Sequence, residues 1–379
     1  MAATKKAAAP VQTAAERAIS RFMAKMDKSY GSGKFVAGAQ PSKYEVISTG
    51  SLSLDRALVV GGYVKGRTIE IWGPEGAGKT TLAMIAAAQA QADEPDKFVL
   101  FIDVEHRADV QWMMSHGVDM TRCVLVKPSD AEEVADMVKD ACREGTCAMV
   151  IVDSIGAMIP AKEKEKAAED AVVGMQAKIV TRMVKICAPE ADETGTVVIF
   201  INQVRAAIGA YGQDQTSGGG FALKHGTTMK LYVRRTGGGQ IKLSGGDKQQ
   251  VGHLITVNVE RNSVALAYRK AEFALLYVST SQYGPMGIDR ADEAAKLGVE
   301  FGIVGQSGAW YTCKISGARM QGMPAVVEHM RQHPDILVEV RRRVIEALAA
   351  DVIGDEGVPA VEPDELAFEQ PAEAVPNGE

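Results

Sequence analysis

No two of the five cysteines (Cys123, Cys142, Cys147, Cys187 and Cys313) form a C-x-x-C pair, and their odd number leaves one without a partner. Neither a disulfide framework nor a zinc site is indicated, and the thiols read as small core residues. His329 and His333 lie four apart, able to share one side of a helix, but no third ligand is near and a metal site is not expected. No apolar run approaches the roughly 18 residues that a membrane span needs, and the opening stretch MAATKKAAAPVQTAAERAISRF lacks the apolar segment of a signal peptide. The expectation is a cytoplasmic chain with no membrane partner. Basic residues are missing as well: beyond Asp351 the chain has acids and no Lys or Arg. Residues 1–43 are the reverse, with Lys5, Lys6, Arg17, Arg21, Lys25, Lys28, Lys34 and Lys43 against Glu16 and Asp27. The net charge of -6 conceals this asymmetry, which suits either a handler of polyanions or two solvated ends.

What is present is ample for a core, since 46% of the 379 residues are hydrophobic. Thr13 and Glu16 have capping-box spacing, and Ile19, Phe22, Met23 and Met26 then fall on one helical face before Gly31. Four nearly continuous apolar runs follow, TIEIWG (68–73), FVLFID (98–103), AMVIVD (148–153) and VVIFIN (197–202), separated by helix-like stretches. That alternation predicts an α/β fold whose mostly parallel sheet is covered on both faces, with ligands at the carboxyl ends of the strands. KLYVRR (230–235), LITVNVE (254–260) and AEFALLYV (271–278) read as antiparallel additions, with TGGGQIKLSGGD (236–247) as a connecting turn region. The expected organisation is an N-terminal helix and linker over 1–46, a core over 47–282, a small α/β domain over 283–350 and an acidic, disordered tail over 351–379.

Between the first strand and a helix stands Gly73-Pro74-Glu75-Gly76-Ala77-Gly78-Lys79-Thr80, a full G-x-x-x-x-G-K-[ST], followed by Thr81. Its glycines let backbone N–H groups wrap a phosphate, Lys79 puts a cation on the β/γ-phosphates and Thr80 offers a hydroxyl to Mg²⁺. Asp153, at the end of AMVIVD, is the carboxylate expected to complete the Mg²⁺ site. Asp103 and Glu105 are two apart and so are expected on the same side, with Glu105 chosen to orient or deprotonate an attacking water. Asp109 and Trp112 lie just beyond; an indole there suits either a base platform or the core.

In these residues the chain resembles the RecA family of bacterial and phage recombinases. The matching segments run in order: ISTGSLSLDRAL (47–58), GPEGAGKTT (73–81), FIDVEH (101–106), VIVDS (150–154), FINQVR (200–205), GGFALK (219–224), KAEFALLY (270–277) and GAWY (308–311). The resemblance implies an ATP-dependent helical filament on single-stranded DNA that pairs it with homologous duplex and exchanges strands. It implies Glu105 as catalytic carboxylate, Gln203 as sensor of the γ-phosphate, and Asp109, Trp112 and Tyr277 around adenine, with Trp112 where the family usually has Tyr. It also implies that Arg261 reaches the neighbouring subunit's ATP. Here the chain reads Arg261-Asn262-Ser263 where Lys-Asn-Lys is usual, so the second cation is absent. Val173, Gly174, Lys178 and Lys185 are implied as DNA contacts of a first loop, with Val173 in place of Met and Lys178 in place of Arg. His225 replaces a Phe, and the second loop is one residue shorter than usual.

That second loop, GAYGQDQTSGGG (209–220), opens from the strand that ends at Gln203. Anchored beside the γ-phosphate, it is placed to order with nucleotide state. Arg205 at its base, Ile208 as a wedge between bases, Gly209, Tyr211 and the backbone of Gly219 and Gly220 are the expected DNA contacts. Three other readings remain: a hexameric helicase on the same core, an ATP-gated DNA-binding filament with little hydrolysis, and a small-molecule P-loop kinase, for which neither a phosphoacceptor site nor a lid is visible.

Overall fold

The computed structural model describes residues 13–31, 43–164, 174–206, 215–217, 223, 226–243 and 249–354. Residues 1–44 form one unit and 45–379 another. The first holds helix α1 (Ala14–Tyr30), begun by the expected reciprocal capping box of Thr13 and Glu16 and ended at Gly31, whose φ of 95° suits glycine. None of its residues is buried, and Phe22 is 58% exposed.

The second unit opens with β1 (Val46–Ile47), α2 (Leu52–Ala57) and β2 (Tyr63–Val64). The parallel part follows: β3 (Thr68–Gly73), α3 (Lys79–Asp93), β4 (Phe98–Asp103), α4 (Val110–Ser115), β5 (Cys123–Val126), α5 (Ala131–Glu144), β6 (Cys147–Asp153), α6 (Ala161–Lys164), α7 (Met175–Thr194) and β7 (Val197–Ala206). Then come β8 (Gln215–Ser217), β9 (Met229–Lys242), β10 (Gln250–Asn262), β11 (Lys270–Leu276) and β12 (Gly287–Ile288). The main sheet runs β12-β11-β10-β9-β3-β7-β6-β4-β5, and β8 pairs with β7 off that path. Alternate residues of each central strand serve two cores: Val99 and Phe101 of β4 pack on the α3 side, Leu100 and Ile102 with α5 and α7. This is why these strands read as unbroken apolar runs.

Two expectations need correction, and one strand lies outside them. β9 is antiparallel to β10 but parallel to β3, so it is the strand at which the sheet changes direction. Thr236–Lys242 is no turn: it continues β9, with Gln240 opposite His253 and Ile241 opposite Gly252, beyond a register shift that the glycines accommodate. A Cβ on Gly239 would stand 2.8 Å from that of Leu254. The edge strand β5, only four residues long and with Val124 47% exposed, is not among the runs expected from the sequence.

The small C-terminal α/β domain comprises α8 (Arg290–Glu300), the antiparallel sheet β13 (Val304–Ser307), β14 (Trp310–Cys313) and β15 (Arg319–Gln321), then α9 (Met323–Gln332) and α10 (Pro334–Gly354). Its core of Ala294, Val304, Val326, Met330, Val340 and Val344 includes Leu52 of α2. Glu293 fastens the junction, accepting hydrogen bonds from Ser51 Oγ and from the backbone N–H groups of Leu52 and Ser53. All five cysteines are buried, and the described residues contain no cluster of three or more metal-ligating side chains and no helix long and apolar enough to cross a membrane.

Candidate nucleotide site

β3 ends at Gly73 with φ of 151°, and a Cβ there would lie 2.0 Å from the carbonyl oxygen of Val233 on β9. Only glycine fits. Gly76 and Gly78 have φ of 68° and 99°, so the loop turns left-handed twice before α3 begins. Arg235 of β9 donates from Nε to Gly76 O at 2.8 Å, fixing the loop from outside. Lys79, 7% exposed, donates from Nζ to Gly73 O at 2.9 Å and Pro74 O at 2.7 Å. Burial lowers its pKa, and Asp153 and Glu105 oppose that shift. A phosphate would supply the anion this desolvated cation lacks.

Thr80 Oγ1 donates to Asp153 Oδ2 at 2.6 Å. Burial pushes the Asp153 carboxyl up to about 6, with Glu105 and Asp103 adding to the rise. A hydroxyl beside a crowded carboxylate is the donor set a hard divalent cation takes, and its charge would relieve the repulsion, so these residues fit Mg²⁺.

The turn after β4 is held to the end of β6, because the N–H groups of Val104 and Glu105 reach Asp153 O at 2.8 and 3.4 Å. This sets Glu105 over the loop, where its Oε1 accepts from Ser154 Oγ at 2.6 Å and from Gln203 Nε2 at 2.7 Å. Arg107 lies 3.2 Å from Glu105 and 3.6 Å from Glu75. Asp103 lines the same cleft as Glu105, as expected. It is 2% exposed and accepts the N–H groups of Arg107 and Ala108, because the chain turns sharply there.

These groups line a cleft of about 320 Å³ with Glu75, Gly76, Asp109 and Trp112. Asp109 caps α4, accepting Trp112 N at 2.8 Å. Trp112 is 37% exposed and tilted against His116, so it belongs to the cleft wall rather than the core. An adjoining cleft of about 190 Å³ is lined by Gly78, Thr81, Trp112, His116, His253 and Tyr277. The Tyr277 hydroxyl meets His253 Nδ1, and burial, assisted by Arg235, lowers the His253 pKa to about 4. Ser154, Arg107, Arg235, His116 and His253 were not singled out from the sequence. Of these only Ser154 carried a signal, as the residue after Asp153.

Arg261 is not brought to this site. It faces Lys230 across β9–β10, three residues before Val233, which meets Gly73, and so lies toward the other end of the strands. Gly174, with φ of 88°, precedes α7, and Lys178 and Lys185 are exposed on that helix. Gln176 Nε2 ties the start of α7 to the carbonyls of Ile155 and Gly156, just past Asp153. Arg205 pairs with Thr216 in the β7–β8 hairpin. Val173, Ile208, Gly209, Tyr211, Gly219, Gly220 and His225 lie outside the described residues.

Family models of the RecA N-terminal and C-terminal domains match residues 17–281 and 293–349. The chain belongs to the RecA family. It is 37% identical over 338 residues to protein RecA of Syntrophobacter fumaroxidans, covering 88% of this chain and 94% of that one. With protein RecA of Bordetella petrii it is 35% identical, over 87% of this chain and 89% of the other. With protein RecA 1 of Myxococcus xanthus the figures are 34%, 91% and 95%. As a RecA recombinase it serves DNA recombination and repair, through filament formation and strand exchange, and its family is one of ATP-binding, DNA-dependent ATPases.

Proposed function

We propose that this chain hydrolyses ATP with Mg²⁺ in the larger cleft and couples it to exchange between single-stranded DNA and homologous duplex. The observation that carries this reading is the hydrogen bond from Gln203 to Glu105, which joins the strand leading into the glycine-rich loop to the carboxylate above the phosphate loop. Gly73, Pro74, Glu75, Gly76, Ala77, Gly78 and Thr81 shape the phosphate cradle, and Lys79 neutralises the β/γ-phosphates. Thr80 and Asp153 hold Mg²⁺, which supplies charge for the phosphate oxygens. Glu105 takes the proton of the attacking water, and Gln203 leaves it for the γ-phosphate. Asp109, Trp112 and Tyr277 hold the base. Arg261, toward the far end of the strands, acts on a neighbour's nucleotide within the filament.

Val173, Gly174, Lys178 and Lys185 form one DNA contact, and Arg205, Ile208, Gly209, Tyr211, Gly219 and Gly220 the other. Residues 1–46 serve as polymerisation arm, 47–282 as core, 283–350 as accessory domain and 351–379 as acidic tail. The test is phosphate release and strand exchange with homologous and non-homologous duplex. Exchange requiring homology, ATP and Gln203 supports the reading; exchange by Gln203→Ala at the wild-type rate overturns it.

A further inference from the structure

β3 carries a second polar set on the face turned away from α3. Ile69 and Ile71 pack in the core on the α3 side, so Glu70 between them points the other way, and it is fully buried. Its Oε1 accepts from Asn202 Nδ2 at 2.9 Å, while Oε2 has no hydrogen bond and lies 3.5 Å from Lys230 Nζ. Asn202 Oδ1 accepts the backbone N–H of Gln203 at 2.9 Å, and Gln203 reaches Glu105. In the other direction Lys230 Nζ sits 4.6 Å over the Trp72 ring, and Trp72 Nε1 donates to Glu260 Oε2 at 2.9 Å, next to Arg261.

A carboxylate in such a place is a poor route to stability, because an apolar pair of similar volume would serve as well or better. It does impose direction. A carboxylate only accepts, so the Asn202 amide must present its NH₂ to Glu70 and its oxygen to the Gln203 N–H; the flipped amide would set oxygen against oxygen. We propose that Glu70, acting through Asn202, is a positioning residue for Gln203, and that Lys230, Trp72 and Glu260 link its orientation to the end of β10 that carries Arg261. This inference rests on the reading of Gln203 as the γ-phosphate sensor.

The test is steady-state ATP hydrolysis on single-stranded DNA, resolved into kcat and KM, together with thermal unfolding. Asn202→Asp sets two carboxylates against each other and is expected to lower kcat about tenfold, with KM for ATP within about twofold. Adding Glu70→Gln re-forms the amide–carboxylate bond with donor and acceptor exchanged, and should restore kcat to within about threefold of wild type. Glu70→Leu with Lys230→Met removes the buried pair without stranding a charge, and should fold yet lose about tenfold in kcat. The inference is overturned if the exchanged pair gives no rescue, if the apolar pair turns over normally, or if KM and melting temperature move together with kcat. Failure of both pairs to fold would overturn it too, in favour of a structural role. Gln203→Ala and Glu105→Gln run alongside: were these also to hydrolyse normally, the sensor reading itself would fail, whereas impairment of these alone would sink only the positioning role.

Discussion

Two groups of carboxylates are forced together in this chain. Glu105, Asp153 and Asp103 meet at the carboxyl ends of β4 and β6, and Asp55 and Glu293 meet where α2 joins α8. Burial raises carboxyl pKa values in both: Asp153 to about 6, Asp55 to about 7 and Glu293 upward. The surroundings differ. Asp55 and Glu293 are buried and spend their oxygens on Ser48, Thr49, Ser51, Leu52 and Ser53. Glu105 and Asp153 face a cleft that also holds a desolvated ammonium and a glycine loop. A raised pKa therefore marks crowding, and only the cleft and its desolvated cation mark chemistry.

Substitutions should separate the two groups. Lys79→Ala carries the largest expected effect: hydrolysis on single-stranded DNA falls by about a thousandfold or more, while melting temperature holds because a buried cation is removed. Next comes Glu105→Gln, expected to bind ATP normally in a filter or fluorescence assay and to turn over about a hundredfold more slowly. Loss of ATP affinity instead would make Glu105 a structural acid like Glu293. Glu293→Ala should do the converse, costing about 2 kcal/mol in urea unfolding, since the donors at the start of α2 lose their acceptor, with ATP affinity unchanged. If turnover fell more than stability, the contrast would collapse.

The smallest effect concerns pH. The Asp55 pKa is raised on folding, so the folded chain binds the extra proton between its ordinary value of 3.8 and about 7. The stability this contributes is complete below pH 3.8 and lost as pH rises through 7. Asp55→Asn should flatten that slope, leaving melting temperature less dependent on pH between 5 and 8 by about a few degrees.

The parallel core and the phosphate loop were legible because both are written in consecutive residues: apolar runs of strand length, and glycines at fixed spacing before Lys79 and Thr80. Asp153 was legible as a strand end and Glu105 as lying just past one; Gln203 was legible as following VVIFIN, although β7 does not end there but runs on to Ala206. Their mutual contacts were not, since Ser154 and Gln203 meet Glu105 only through strand order. Arg235 and His253 come from β9 and β10, whose reach past the glycines depends on pairing with each other rather than on local propensity.

The position of β3 in the sheet has a bearing on synthesis. Its neighbours are β7 and β9, so a growing chain completes the phosphate-loop strand roughly 170 residues before the second of them is finished. At ribosomal speeds of about 5–20 residues per second that is a delay of about 10–30 s. Through it at least one edge of TIEIWG remains unpaired, a template for wrong strands and a ready target for chaperones. A chain released before Lys242 would have the whole phosphate-loop sequence and lack the completed strand that holds Gly73 in place.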